Sequence, residues 1–449
     1  MDGQLDSPPV FAARPPAGAP HHPPRLPRPV PVPRLADPVC RLPDAEGVED
    51  FWAGVRERGT PLVGPDPLGG GEYRAVTFLW RGTPTTRAVQ VLPNKLGDPR
   101  DPAGNLMERA PGTDVWHWTL RLRHDWRGTY DFYVDDPHDS APHDDDSHAT
   151  APHTTAENEE EPAPRTPAYW RRLRTHRRSD PHNSRALPHR WDGEPVSYAE
   201  LPAAPRALDW VPRPGVPHGT LTEHAVVSAR IGGSRRVWLY EPPGGAREPG
   251  GLPVLVLLDG EHWGPRLGLA HLLDNLIADG RIPPTAAVLP EAVDEATRWA
   301  ELSCRPEYVD FLARELLPWA AGRLPLTADP ARTVVAGQSL GGLTAAYAAV
   351  AAPGRFGNAL VQSGSFWWPD GPEAEWLTRA LAEGPRPPVR FRLSFGTQEW
   401  VALPAARRLR DTLASIGCHD TSYREFDGGH DYLCWRTELA DGLVELLGR

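Results

Sequence analysis

Two stretches of the chain alternate apolar and polar residues in different ways. In EYRAVTFLWRG, TRAVQVLPN, VWHWTLRLRHD and GTYDFYVDD, apolar and polar positions trade places at every second residue, with β-branched and aromatic types prominent. A period of two predicts antiparallel strands with one packed face and one wet face. The segment FWAGVRERGTPLV, just upstream, reads as a short helix. Together these segments predict a β-sandwich domain over 45–213, of an immunoglobulin-like kind. After Pro212 the pattern changes. RRVWLYEPP, LPVLVLLDG, TAAVLPEAVD, RTVVAGQS, GNALVQSGS and VRFRLSFGT are short apolar runs, several without alternation. Strands covered on both faces read this way. Between them lie the helical stretches HLLDNLIADG, YVDFLARELLPWAAGRL and LTAAYAAVAA. Strand alternating with helix implies right-handed crossovers and a mostly parallel sheet, an α/β domain over 214–449.

Two segments fit neither pattern. Residues 1–44 are rich in proline (PPRLPRPVPVPR) and are expected to be a disordered tail. The run DPHDSAPHDDDSHATAPHTTAENEEEPAP, 135–164, holds several histidines and carboxylates. Its spacing is irregular and no apolar residues flank it, so it reads as a solvated, disordered insertion and not as a metal site.

Composition narrows the function. A length of 449 residues suits two domains. A net charge of -11 argues against nucleic-acid binding, which needs basic surface to replace counterions. Lys95 is the sole lysine, a bias spread over the whole chain that reflects base composition better than a local need for guanidinium. Cys40, Cys304, Cys418 and Cys434 form no C-x-x-C pair and suit reduced thiols. No apolar signal region opens the chain, and no run approaches 18 apolar residues. The expectation is a soluble cytoplasmic protein without a membrane partner, a cofactor or a catalytic metal.

The chemistry centres on Gly337-Gln338-Ser339-Leu340-Gly341-Gly342, which follows the apolar strand TVVA and precedes a helical stretch. That is the setting of a nucleophile elbow, and it predicts an α/β-hydrolase with Ser339 as nucleophile. Small residues are expected at 337 and 341, where strand and helix crowd the turn. The following helix aims its N-terminus at the serine and favours negative charge there. Acid and histidine should follow in that order. Downstream, His419 sits in a polar stretch, whereas His430 lies in the glycine-rich DGGHDYLCW and is the expected general base. Glu399, just after VRFRLSFG, is the favoured acid, with Asp427 and Asp431 as alternatives. The oxyanion donors are expected at the N–H of Leu340 and in the loop after LPVLVLLDG, near Gly260 or Glu261; such donors contribute about 3–4 kcal/mol.

VLVLLDGEHW, RWAELSCRPEYVDFLARELLP, AGQSLGG, RFGNALVQSGSFWW and DGGHDYLCWR resemble, in order, blocks of the enterochelin (enterobactin) esterases. VTFLWRG, MERAPGTDVWHWTLRL and WRGTYDFYV are similar to that family's N-terminal sandwich domain. The resemblance implies hydrolysis of the trilactone of ferric catecholate siderophores, with release of iron in the cytoplasm. It places Ser339 and His430 at the nucleophile and histidine positions, and Arg298 and Glu301 in an R-x-x-E-L block. Such a substrate is a bulky trianion, so Arg298, Arg305, Trp263, Trp367 and Trp368 become candidates to bind it, with core packing or contact with the sandwich domain the equal alternative for each tryptophan. Arg298 is alternatively expected to pair with Glu301 and hold its loop. The iron belongs to the substrate. A feruloyl or S-formylglutathione esterase on the same scaffold is the alternative reading.

Overall fold

The computed structural model describes residues 16, 22–98, 101–137, 166–191, 193–245 and 248–448. Residues 138–164 of the acidic insertion, and 1–21 of the tail apart from Pro16, lie outside these residues. The first two residues of the expected insertion are part of the fold, since Asp135 ends a strand and Asp136 accepts from the Thr85 and Thr86 hydroxyls at 2.7 and 2.8 Å. The chain divides into two units. One comprises Arg206–Phe426 with Cys434–Arg449, and the other comprises Pro27–Pro205 with Asp427–Leu433.

The larger unit is built on an eight-stranded sheet. In chain order its strands are β1 (Thr220–Ser228), β2 (Gly233–Glu241), β3 (Val254–Leu257), β4 (Ala286–Pro290), β5 (Thr333–Gln338), β6 (Asn358–Gln362), β7 (Arg390–Gly396) and β8 (Thr421–Phe426). They lie side by side as β1-β2-β4-β3-β5-β6-β7-β8. β1 and β2 form an antiparallel hairpin, β2 pairs antiparallel with β4, and the remaining neighbours are parallel. Every residue of β3, β4, β5 and β6 is buried, as their unbroken apolar runs predicted. Helices supply the cover: α1 (Leu269–Ala278), α2 (Glu295–Leu302), α3 (Leu340–Ala351), α4 (Trp376–Glu383), α5 (Ala402–Ser415) and α6 (Tyr432–Leu447). α3 is apolar all round and buried through Val350, which makes it the central helix of the core.

The smaller unit holds two five-stranded antiparallel sheets. In one, strands 34–35, 115–123, 73–81 and 62–65 are neighbours in that order, and in the other, 88–93, 127–135, 196–200 and 186–187. Their alternating apolar positions meet in a core that includes Val76, Phe78, Trp118 and Leu120 from one sheet and Val89, Val91, Tyr130 and Phe132 from the other. The helix expected at FWAGVRERGTPLV is Val48–Arg58; it stops at Gly59, which has φ of 75°, and Leu62–Pro65 continues as a strand.

Part of the expected tail is not a tail. Arg34–Leu35 adds an edge strand, with Arg34 opposite Leu120 and Leu35 opposite Thr119. The Arg121 N–H donates to the Pro33 carbonyl at 2.8 Å. Val39, Cys40 and Leu42 pack against the cluster of Trp52, Val55 and Leu62. An edge strand needs to pair along one side only, so proline is tolerated beside it. Among the described residues no helix is long and apolar enough to cross a membrane.

One ion pair braces the sheet. Arg235 on β2 donates to both Glu301 oxygens at 2.6 and 2.7 Å, and its side chain and that of Glu301 are 6% and 5% exposed. Glu301 is therefore committed to Arg235, and the alternative pairing with Arg298 does not form. Removing one member of a buried pair strands the other charge. Glu301→Ala should therefore lower unfolding free energy by about 3–5 kcal/mol in a urea titration.

Candidate active site

Ser339 joins β5 to α3 with φ of 57° and ψ of -120°. A side-chain-bearing residue held in this region costs of order 1–3 kcal/mol and persists only where its surroundings enforce it. Here the surroundings are hydrogen bonds on both sides of the residue. The Ser339 N–H donates to the Gln362 carbonyl at 3.1 Å, and the Ser339 carbonyl accepts from Leu343 at 3.0 Å and Ser365 at 2.9 Å. The Ser339 and Ser365 hydroxyls lie 3.4 Å apart.

The glycines around the serine have different reasons. A Cβ on Gly337 would sit 2.3 Å from the Gly341 carbonyl oxygen, so position 337 admits no side chain. A Cβ on Gly341 would meet nothing nearer than 3.6 Å. The crowding expected at both positions is therefore real at 337 and absent at 341, whose own backbone does the crowding.

Leu340 is buried and opens α3. The first N–H groups of a helix have no partner within it, which suits the expected donor role. Gly260 follows β3, the neighbour of β5. A Cβ there would lie 2.4 Å from the Leu289 carbonyl oxygen, so this loop too is restricted to glycine. Asp259 precedes it with φ of 62°, and its carbonyl accepts from His262 at 3.1 Å and Trp263 at 3.2 Å. The Gly260 and Glu261 amides thus begin a helical turn as the Leu340 amide does. The two turns lie side by side, since a Cβ placed on Gly341 would meet Asp259 Oδ2 and the Leu258 side chain, each at 3.6 Å.

Arg298 is placed beside the serine but is not offered to solvent. It donates from Nε and Nη2 to the two Asp259 oxygens at 2.9 Å each, and from Nη2 to the Gln338 carbonyl at 3.2 Å. The Asp259 side chain is fully buried and that of Arg298 is 12% exposed. Trp263 is fully buried and donates its indole N–H to Gln338 Oε1 at 2.7 Å, so it presents no face to a ligand. Trp367 and Trp368 are buried as well. Arg305, 38% exposed and 3.3 Å from Glu307, is the expected binding residue that faces solvent.

Glu399 follows β7 and is 2% exposed. Its Oε1 accepts from the Ser363 hydroxyl at 2.6 Å and the Gly396 N–H at 2.7 Å. Ser363 in turn accepts from the Trp435 indole at 2.9 Å. The Trp435 carbonyl accepts from Gln362 Nε2 at 2.6 Å, and Gln338 Nε2 donates to Gln362 Oε1 at 2.8 Å. One buried chain thus runs Trp263, Gln338, Gln362, Trp435, Ser363, Glu399. Sequence reasoning missed its interior members and Asp259. A signal was present: Gln-Ser occurs at 338–339 and again at 362–363, and Gln338 and Gln362 are register partners on β5 and β6.

His430 belongs to the loop 427–433, which falls in the smaller unit. Neighbouring carboxylates there are already engaged. Asp431 Oδ2 accepts the Thr129 N–H at 3.0 Å and its hydroxyl at 3.2 Å, and Asp427 lies 3.7 Å from Arg123 Nε.

Two family models match the chain, enterochelin esterase N-terminal over residues 75–210 and putative esterase over 228–446. An iron(III) enterobactin esterase of Dickeya dadantii is 34% identical over 429 residues, covering 89% of this chain and 93% of that one. A protein of the same description from Escherichia coli O6:H1 is 34% identical over 394 residues, covering 85% and 89%. The crystal structure of the enterobactin esterase of Shigella flexneri in the presence of enterobactin superposes with a TM-score of 0.72 at 32% identity, covering 89% of this chain and 98% of the other. Likeness of this extent shows that the chain belongs to the enterochelin esterase family and is a carboxylic-ester hydrolase.

Proposed function

We propose that the protein hydrolyses the ester bonds of ferric catecholate siderophores of the enterobactin type, with Ser339 as nucleophile, His430 as general base and Glu399 as the acid that orients it. The observation that carries the assignment of the nucleophile is the strained backbone of Ser339 between a fully buried strand and a helix buried through Val350, the geometry of a nucleophile elbow. The substrate class rests on the relatives, whose names give iron(III) enterobactin as what they act on.

In this reading the Ser339 hydroxyl attacks a lactone carbonyl and passes its proton to His430. The tetrahedral oxyanion is held by the Leu340 N–H and by an N–H of the Gly260 turn. His430 then returns the proton to the departing alkoxide, which leaves an acyl-enzyme that water hydrolyses by the same route. Glu399 suits the acid better than its rivals because Asp431 is spent on Thr129 and Asp427 lies beside Arg123. Of the two arginines expected to bind a trianionic substrate, Arg305, 38% exposed beside Glu307, is the more open to it. Among the described residues none of the four cysteines forms a disulfide, which accords with a cytoplasmic setting for iron release. Arg298 serves the reaction from beneath, by fixing Asp259 and the peptide that precedes the nucleophile.

Ser339→Ala should lower kcat on ferric enterobactin by at least about 1000-fold while leaving its binding nearly intact, as measured by product mass spectrometry and tryptophan quenching. Retention of a tenth of the activity would exclude covalent catalysis by this residue. Glu399→Gln should slow turnover by about 100-fold or more, whereas Asp427→Asn should stay within a few-fold of wild type. If Asp427→Asn is the more damaging, the acid is misassigned. Arg298→Ala should depress kcat/KM for ferric enterobactin and for p-nitrophenyl acetate by similar factors, about tenfold or more. It should also reduce stability by about 3–5 kcal/mol, because the buried Asp259 carboxylate loses its guanidinium. A loss confined to the siderophore would make Arg298 a substrate contact instead.

A further inference from the structure

The loop that carries His430 makes several hydrogen bonds within the smaller unit, and two of them fall on one residue. Asn94 lies just beyond the strand 88–93. Its side chain takes both backbone polar atoms of His430: Oδ1 accepts the His430 N–H at 2.9 Å, and Nδ2 donates to the His430 carbonyl at 3.1 Å. Asn94 is itself held, since its own N–H donates to the Thr129 carbonyl at 2.8 Å. Thr129 secures the next residue of the loop through Asp431. Further along, Gly428 bridges to Arg127, and Arg190 hydrogen-bonds the Tyr432 hydroxyl. Gly429 lies against the same asparagine. A Cβ at 429 would sit 2.6 Å from both the Asn94 carbonyl oxygen and Oδ1, so the glycine is what lets the loop close onto it.

A primary amide that bonds the N–H and the C=O of one residue fixes both the position and the rotation of that peptide segment. The Cα–Cβ bond of the histidine is fixed with it. We propose that Asn94 is a positioning residue for catalysis, which acts by clamping the backbone of His430. The proposal rests on the reading of His430 as the general base. Its physical content is that a proton-transfer group displaced by about an ångström loses rate far more than binding, of the order of 100-fold.

The test is a double-mutant cycle on the full chain, with ferric enterobactin and p-nitrophenyl acetate as substrates and the thermal midpoint recorded for each variant. Asn94→Ala should lower kcat on both substrates by about 10- to 100-fold with KM little changed. In a His430→Ala background the same substitution should change the residual rate by less than about twofold, because its effect passes through the histidine. Gly429→Ala, which pushes the loop off Asn94, should give the same pattern and covers the case in which Asn94→Ala does not fold. Equal losses in both backgrounds, or a rise in KM for the siderophore alone, would overturn the clamp, as would an unchanged kcat in a folded Asn94→Ala protein. Wild-type activity in His430→Ala would instead remove the base assignment itself, a result that the single mutant reports independently.

Discussion

The buried chain of hydrogen bonds from Trp263 to Glu399 is the interaction on which the catalytic unit depends. It crosses the carboxyl end of the sheet from the helical turn after β3 to the turn after β7, and every residue in it is at least 96% buried. Each link contributes about 1 kcal/mol net. Breaking a link takes a partner from a buried polar group, which costs about 1–3 kcal/mol more where no other partner replaces it. The chain therefore has one low-energy arrangement. In that arrangement the Gln338 side chain is tied in place directly beside the nucleophile and the Glu399 carboxylate is held by Ser363 and Gly396.

Backbone strain gathers at the same edge. Asp259 after β3, Val293 after β4, Ser339 after β5 and Ser363 after β6 have φ of 62°, 67°, 57° and 49°, all in a region that side-chain-bearing residues seldom occupy. The two neighbouring strands, β3 and β5, thus end in sharp turns that present amide groups. The cost is offset by the buried helices and strands around the turns, above all by α3. Arg298 adds a charged brace between two of these turns, joining Asp259 to the peptide before Ser339.

Much of this was legible in the sequence, and what was not has physical reasons. Unalternating apolar runs located the parallel strands, and strict alternation located the sandwich. The elbow stood out because Gly-x-Ser-x-Gly fell between a strand and a helix. Arg298 was picked out, but its partner was not: Asp259 lies 39 positions away, and an ion pair across a fold leaves no local pattern. Trp263 read equally as a stacking surface or a core residue, because exposure cannot be deduced from residue type. The edge strand at Arg34–Leu35 was hidden by prolines, whose composition signals a tail although an edge position accepts them. The attachments of the histidine loop were invisible for a related reason, since Asn94 precedes His430 by 336 positions.

Gly260 and Gly337 set a boundary for laboratory evolution of this scaffold. At each, any substitution brings a carbon to within 2.4 Å of a main-chain oxygen, belonging to Leu289 in one case and Gly341 in the other. No partner side chain can be trimmed to make room, so second-site suppressors within reach would have to bend a buried strand or the central helix. Libraries that aim to widen the range of esters accepted gain nothing by sampling these two codons. Their diversity belongs at exposed positions such as Arg305, where a new side chain meets solvent and not the frame of the sheet.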